Sequence, residues 1–367
     1  MTFRPRVLVL LSVLLLPALG ASCAALPEMQ PPTTDTVPAG ADRVVGPAPE
    51  LTKTPFPGDP VPAPPARPAP PASDGSFAVA FPGDVAPGSV RWGAAIGGNA
   101  DPARHESVAG NQMGLRRTFF QWHQRTGSMV RTATVDLAAG RLPWVSVKPP
   151  SWAAVGSGTH DGEIDEMLRA LDALNGPVWL TVHHEPEGGG GKNFPDDPGG
   201  AAAWRAMQER FRMRMDALGT DNIAFAPILM AWTFNPLSGR NPADWWVDGI
   251  WDFAGIDHYI DSESATTMWS STWTVANSFY AGKGLKVAIG EWGNRGTDAA
   301  AAAEMNGFYQ SALQSGSTPG TAQLIGLAYF DSNLNSPSGG WELFGQPLAQ
   351  FRQLMGAPTS LRADQSG

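Results

Sequence analysis

From about residue 88 the chain alternates between two textures, and that alternation limits its fold more than any other feature. Eight short apolar runs recur: "VRWGAAI" (90–96), "LRRTFF" (115–120), "LPWVSVK" (142–148), "VWLTVHHE" (178–185), "IAFAPILM" (223–230), "FAGIDHYI" (253–260), "KVAIGEWG" (286–293) and "LIGLAYFD" (324–331). Longer segments with helical spacing lie between them. "DGEIDEMLRALDALNG" (161–176) opens on acids, spaces Ile164, Met167, Leu168, Leu171 and Leu174 at helical intervals, and stops at Gly176. "AAAWRAMQERFRMRMDALG" (201–219) repeats the pattern, and "TDAAAAAEMNGFYQSALQSG" (297–316) adds Thr297 or Asp298 as N-cap. Strands separated by helices pair in parallel, because a parallel connection needs a crossover. Eight such units in about 270 residues predict an α/β fold of the closed (β/α)₈ TIM-barrel kind. The alternative is an open doubly wound sheet. It would more often carry a glycine-rich phosphate turn after its first strand, and "GAAIGGNADP" fits that poorly.

The N-terminus reads as an export signal over residues 1–22. "MTFRPR" supplies two arginines, and the following apolar run is too short for a comfortable membrane span. Cys23, the only cysteine, follows in "LGASCAA", which resembles a bacterial lipoprotein cleavage box with the cysteine as lipid-bearing first residue. Ordinary secretion with cleavage near Ala21 or Ala25 is the alternative. One cysteine excludes a disulfide within the chain. Residues 23–85 are rich in Pro and Ala, as in "PAPPARPAPPASDG", and bury too little apolar surface to offset ordering entropy, so a disordered, semi-stiff tether is expected. The barrel is then expected over 86–358, with a disordered tail over 359–367. The location implied is secreted or cell-surface, with membrane contact only through the anchor.

Charge narrows the partners. With 25 Lys+Arg against 34 Asp+Glu, the formal charge of −9 repels phosphate backbones and argues against nucleic acid. The 14 tryptophans are the outlier, and flat indole faces suit either a large core or sugar rings. No metal constellation stands out. There is no His-x-x-x-His and no cysteine pair, and adjacent His183 and His184 on a strand point to opposite faces. No Gly-x-Ser-x-Gly elbow suggests a serine nucleophile. The expectation is a monomer that needs no cofactor and acts on a polysaccharide or oligosaccharide.

The active site of such a barrel forms at the C-terminal ends of its strands. Those ends hold Trp92 and Asn99; Gln121, Trp122 and His123; Lys148 and Trp152; His183, His184 and Glu185; Trp232, Phe234 and Asn235; Asp257, His258 and Tyr259; Glu291 and Trp292; Phe330 and Asp331. Glu185 and Glu291 tip the fourth and seventh runs, 106 residues apart, on opposite sides of the mouth. Two facing carboxyls can run glycoside hydrolysis, one protonating the leaving oxygen while the other attacks the anomeric carbon. A strand-end salt bridge is the plainer reading of either. Trp92, Trp122, Trp152, Trp232 and Trp292 are candidate sugar platforms or packing. Arg116 or Arg117 could reach the nucleophile or pair within the wall, and Asp257 reads as structural. Glu187, Asp196 and Asp197 read as a solvated acidic turn with a calcium site as the alternative, and His105 and Glu106 as solvent-facing or helix-capping.

The motifs together resemble glycoside hydrolase family 26, best known for β-mannanases, within the clan of retaining (β/α)₈ glycosidases. "HHEPEG" resembles that family's His-Glu acid/base motif, and "AAAWRAMQERFRMRMDALGTDNIAFA" its following Trp-Arg helix and strand entry. "WDFAGIDHYI" resembles its Asp-x-x-Gly-x-Asp-x-Tyr strand, and "KVAIGEWG" its nucleophile strand. The likeness covers roughly residues 90–350. It implies Glu185 as acid/base and Glu291 as nucleophile. His184 would hold the nucleophile or a sugar hydroxyl, and Tyr259 would hydrogen-bond Glu291. His183, Trp92, Trp122, Trp232, Trp292 and Phe330 are the remaining candidate substrate contacts. The chain departs from the family where "PEGGGGKNFPDD" replaces an Asn-Gly-Trp-like stretch and where Phe330 replaces the clan's Trp. The implied activity is a retaining hydrolase, with endo-β-1,4-mannan the leading substrate. Mixed-linkage glucan, xylan or a cell-envelope glycan are alternatives, as are a transglycosylase and a non-catalytic glycan-binding lipoprotein.

Overall fold

The computed structural model describes residues 81–108, 111–188, 197, 199–259, 271–334 and 340–365. The expected export signal, Cys23, the expected tether up to residue 80 and Asp196 lie outside them. Among the described residues nine strands form one sheet: β1 Arg91–Ile96, β2 Leu115–Gln121, β3 Leu142–Lys148, β4 Val178–Val182, β5 Ile223–Phe225, β6 Ile228–Met230, β7 Ala254–Asp257, β8 Val287–Trp292 and β9 Leu324–Asp331. Their order is β5-β4-β3-β2-β1-β9-β8-β7-β6, and every neighbouring pair is parallel.

The two ends of that order are halves of a single run, 223–230. Pro227 splits it, since proline has no N–H to give to a ladder. The first half serves β4, with Ala226 N donating to Leu180 O at 3.0 Å; the second serves β7, with Gly255 N donating to Pro227 O at 2.8 Å. One broken strand therefore joins both edges, and the sheet closes into the expected (β/α)₈ barrel.

Seven α-helices among the described residues coat it: α1 Ser128–Ala138, α2 Trp152–Gly156, α3 Asp161–Asp172, α4 Gly200–Leu218, α5 Ser271–Gly282, α6 Ala299–Ser315 and α7 Gly345–Met355. Two crossovers depart from the expected rhythm. After β1 and after β6 the described chain makes only 3₁₀ turns, at Gly97–Asn99 and Pro102–Arg104, then at Ala231–Phe234, Pro236–Ser238 and Pro242–Trp245. Glycine pairs and prolines in those stretches break helix propagation.

Strand alternation sorts the side chains into two cores. On β3 and β4, Val145, Val147, Val178, Leu180 and Val182 join the layer between sheet and helices, while Leu142, Trp144 and Trp179 fill the barrel with Leu115 and Phe253. The N-terminal end of the barrel is plugged by residues expected to be tether. Phe81 stacks on Phe253 with centroids 5.4 Å apart. Pro82 O accepts from Trp179 Nε1 at 3.0 Å, and the buried Asp84 carboxylate takes Lys286 Nζ on both oxygens at 2.8 Å.

The expected tail also packs. Leu361 N donates to Val90 O at 3.0 Å, Ala363 N to Gly140 O at 2.9 Å, and Arg91 Nη2 to Gln365 O at 2.9 Å. The folded body thus begins by Phe81 and runs to at least Gln365, wider than 86–358. Short segments of mixed polarity carry no sequence sign of this, because their order comes from caps on the barrel end. Replacing Asp84 by Ala strands a buried ammonium, and such losses cost about 3–5 kcal/mol. Chemical denaturation of Asp84→Ala should show a loss of that size, while a change under about 1 kcal/mol would mean the plug is not structural.

Candidate active site

β4 ends at Val182, three residues short of the expected run. His183 (φ 53°) and Glu185 (φ 50°) then take left-handed backbone, rare and costly for residues with a Cβ. The surroundings hold the distortion in place. His183 N donates to Val147 O and Glu185 N to Ile228 O, both at 2.9 Å. From α4, Gln208 Nε2 donates to Val182 O at 2.7 Å and Trp204 Nε1 to His183 O at 3.2 Å. The twisted segment re-aims its side chains against simple alternation. His184 Nε2 comes to 3.9 Å from Glu291 Oε1, and its Nδ1 to 3.3 Å from Ser146 Oγ. His183 turns away and packs edge-on to Trp152, whose Nε1 lies 2.6 Å from His183 Nδ1.

A second irregularity aims Glu291. On β8, Val287 and Ile289 face the helices, so alternation would send residue 291 there too. The register shifts: Ile256 pairs with Ile289 but Asp257 with Glu291, leaving Gly290 as an extra residue. A bulge of this kind reverses the facing of the residues beyond it. Gly290 permits it, since a Cβ there would lie 2.6 Å from Asp257 Oδ1 and 3.3 Å from Arg117 Nε.

Glu291 ends up buried among three partners. Tyr259 Oη donates to Oε2 at 2.5 Å, Arg117 Nη2 lies 3.7 Å from Oε1, and His184 faces the same oxygen. Arg117 is fully buried, its guanidinium over the rings of Phe119 and Trp144 at 4.8 and 5.0 Å. Its neighbour Arg116 faces outward and pairs with Asp136 of α1 at 3.0 Å. Of the two arginines considered, the structure therefore brings Arg117 to the cluster.

The two glutamates sit in contrasting fields. Burial, then the charge of Glu291, then that of Glu187 push Glu185 up to about 8. Burial also raises Glu291, while Arg117 and the Tyr259 hydroxyl oppose it. The asymmetry favours a proton on Glu185 and charge on Glu291. Tyr259 stays a phenol, raised well above its usual range by burial and by Glu291. His184 stays neutral, lowered well below its usual value by burial and by Arg117. Asp257, buried beside the cluster, is raised well above a normal carboxyl by burial and then by Glu291. Among the described residues, no group of three His, Cys, Asp or Glu side chains is arranged to hold a metal ion.

Several sequence candidates lie elsewhere. Trp92 is fully buried behind the sheet, donating to Phe351 O and packing on Trp292, Tyr309 and Phe351. Trp292 lies in the same layer against Phe308 and Tyr329. Trp122 is tied to α3 through Glu163 Oε2 at 2.6 Å, and Trp152 to His183. These four tryptophans and His183 are packing, because their strand positions or loops turn them toward the helices. Trp232, just past β6, is 46% exposed. Phe330 is half-buried and meets Tyr259 edge-on at 5.8 Å. The acidic turn is not solvated: Glu187 and Asp197 are buried, the latter taking the Trp152 N–H. His105 is buried on Asp331 at 2.5 Å, and Glu106 accepts from Arg141 at 2.7 Å.

Sequence reading missed Trp341, which lies over Tyr259 at 4.7 Å with the Arg295 guanidinium 3.9 Å from its own centroid. Gly293, which lies against it with no side chain, is the only local hint: a Cβ there would meet the indole at 2.7 Å.

The buried carboxyls set a pH dependence. Glu185 unfolded titrates near 4.5 and folded near 8, so between those values the native state holds the extra proton and stability falls as pH rises. His184 and His258, lowered by burial, act below their unfolded value of 6.5 and are silent above it. Differential scanning calorimetry should show Tm dropping between pH 6.5 and 8, with a smaller drop in Glu185→Gln. A slope equal in both proteins would mean Glu185 does not carry the proton.

No protein-family model matches this sequence, and no curated protein matches it. Its fold does match solved structures. A modular endo-β-1,4-mannanase of Cellulomonas fimi, from glycoside hydrolase family 26, superposes with a TM-score of 0.52 at 15% identity, covering 76% of this chain and 73% of that one. The catalytic domain of a family 26 endo-β-1,4-mannanase from Bacillus sp. JAMB-750 gives 0.51 at 12% identity, over 81% of this chain and all of the other. The family 26 protein GH26C of Muricauda sp. MAR_2010_75 gives 0.51 at 12% identity, over 76% and 88%. The chain is folded as a family 26-like (β/α)₈ barrel.

Proposed function

We propose that this protein is a retaining glycoside hydrolase of β-linked polysaccharide, with an endo-β-1,4-mannan as first substrate. The observation that carries the reading is the pair Glu185 and Glu291, each at the exit of its strand and within electrostatic reach of the other, in fields that separate their proton affinities. In the first step Glu291 attacks the anomeric carbon while Glu185 gives its proton to the departing oxygen. A glycosyl–Glu291 ester forms and the first sugar fragment leaves. In the second step Glu185, now ionised, takes a proton from water, which displaces Glu291 and restores both groups.

The partners of Glu291 serve this cycle. Arg117 and Tyr259 hold its charge, and a neutral His184 can donate to or accept from a sugar hydroxyl without competing for the carboxylate. Trp232, exposed just past β6, offers an indole face to a sugar, and Phe330 lies edge-on to Tyr259, the partner of Glu291. The mannan preference rests on the family 26 resemblance and on the two family 26 endo-β-1,4-mannanases among the solved structures that share the fold. We further propose export, lipid anchoring at Cys23 and a monomer working at the cell surface.

The test is reducing-sugar release from β-mannan, mixed-linkage glucan, xylan and cell-envelope glycans. Glu291→Ala should abolish release, and Glu185→Ala should reduce it about 10²–10⁴-fold on the unactivated polymer. Trp232→Ala should raise KM more than it lowers kcat. Binding without release on every polymer would favour a glycan-binding protein on a retired scaffold.

A further inference from the structure

The sequence "HHEPEG" places a second glutamate two residues after the proposed acid, and it is buried rather than solvated. Its Oε1 accepts the Met230 N–H at 3.1 Å, at the last residue of β6. Two residues earlier, Glu185 N donates to Ile228 O at 2.9 Å. One residue later, Gly188 O takes the Arg240 guanidinium. These three contacts continue, beyond the end of β4, the pairing that Pro227 interrupts within the barrel. They bridge the left-handed turn at Glu185 (φ 50°), which has no ladder of its own.

We infer that Glu187 is a positioning residue for Glu185, fastening the exit of β4 to the exit of β6 so that the acid points into the mouth. The inference rests on the proposed function only for Glu185's role; the fastening itself is a matter of geometry. An ordinary solvated turn would not bury a carboxylate on a backbone amide. Glu185 faces Glu291 on β8, Arg117 on β2, Arg240 after β6, and Glu187 on its own loop, the last raising its proton affinity. Glu187 in turn faces Arg240 and the Thr233 hydroxyl, and its charge reaches Asp257 on β7 and Tyr280 on α5.

Two variants of the full chain test this, Glu187→Ala and Glu187→Gln. Glutamine keeps an acceptor for Met230 and removes the charge; alanine removes both. In Glu187→Ala, amide exchange at Met230 and Glu185 should speed up about tenfold, the loss of roughly one hydrogen bond, while β1 to β3 stay protected. Glu187→Gln should leave that exchange slow. In both variants a ¹³C titration of the Glu185 carboxyl should move to lower pH, because a like charge is gone. On the polymer, Glu187→Ala should lose rate while a dinitrophenyl glycoside, whose leaving group needs no proton, still releases its first-turnover burst of dinitrophenolate nearly as fast as before; Glu187→Gln should recover most of the polymer rate, with its alkaline limb moved to lower pH.

Unchanged amide exchange in Glu187→Ala, faster exchange throughout the barrel, or an unmoved Glu185 titration in both variants would each overturn the inference. Exchange and titration do not depend on turnover. A wild type that cleaves no glycan would therefore defeat the proposed function and still leave the role of Glu187 decided.

Discussion

Carboxyls held out of water at one end of a barrel are the constraint around which this structure is organised. Glu291 and Glu187 raise the proton affinity of Glu185, all three raise that of Asp257, and Arg117 is the buried cation that opposes them. Like charges in low dielectric cannot all ionise, so the cluster retains protons that water would have stripped. The fold sets which group keeps them. Arg117 and Tyr259 engage Glu291, and Glu185 is left to its burial and its acidic neighbours.

Two backbone irregularities make that division possible. The left-handed pair at His183 and Glu185 turns the end of β4, and the Gly290 bulge turns the end of β8. Each strained residue costs about 1–3 kcal/mol, which the hydrogen bonds donated by α4 and those accepted by Val147 O and Ile228 O offset. Regular strands would have delivered His183 to the mouth and Glu291 to the helix layer. The chemistry-bearing groups thus stand where the fold departs from its own repeat, a common place for bulges and strained turns.

Much of this is legible in the sequence. The β/α rhythm announces the barrel, and the acidic tips of two runs announce the carboxyl pair. Tyr259 is legible from its motif, and Arg117 is one of two arginines that the sequence does not tell apart. The illegible parts have specific causes. Trp92 sits second in β1, too deep to reach the mouth, and alternation then faces it outward; strand bounds are needed to see this. Trp122 and Trp152 follow strands, as sugar platforms would, yet their loops fold back on α3 and His183. Trp341 reaches Tyr259 from a distant loop, which no local pattern reveals. The plug at 81–85 and the strand-like tail at 359–363 owe their order to the barrel end they cap.

In the proposed reaction Glu291 forms a covalent bond to sugar while Glu185 moves the proton. Mass spectrometry of the protein after incubation with a 2-deoxy-2-fluoro-β-mannobiosyl fluoride would capture that bond, because the fluorine slows release of the ester. A single added disaccharide is expected, mapped by peptide digestion to Glu291 and absent from Glu291→Gln. A label on any other residue, or an unlabelled Glu291 in a preparation that cleaves β-mannan, would rule Glu291 out as the nucleophile.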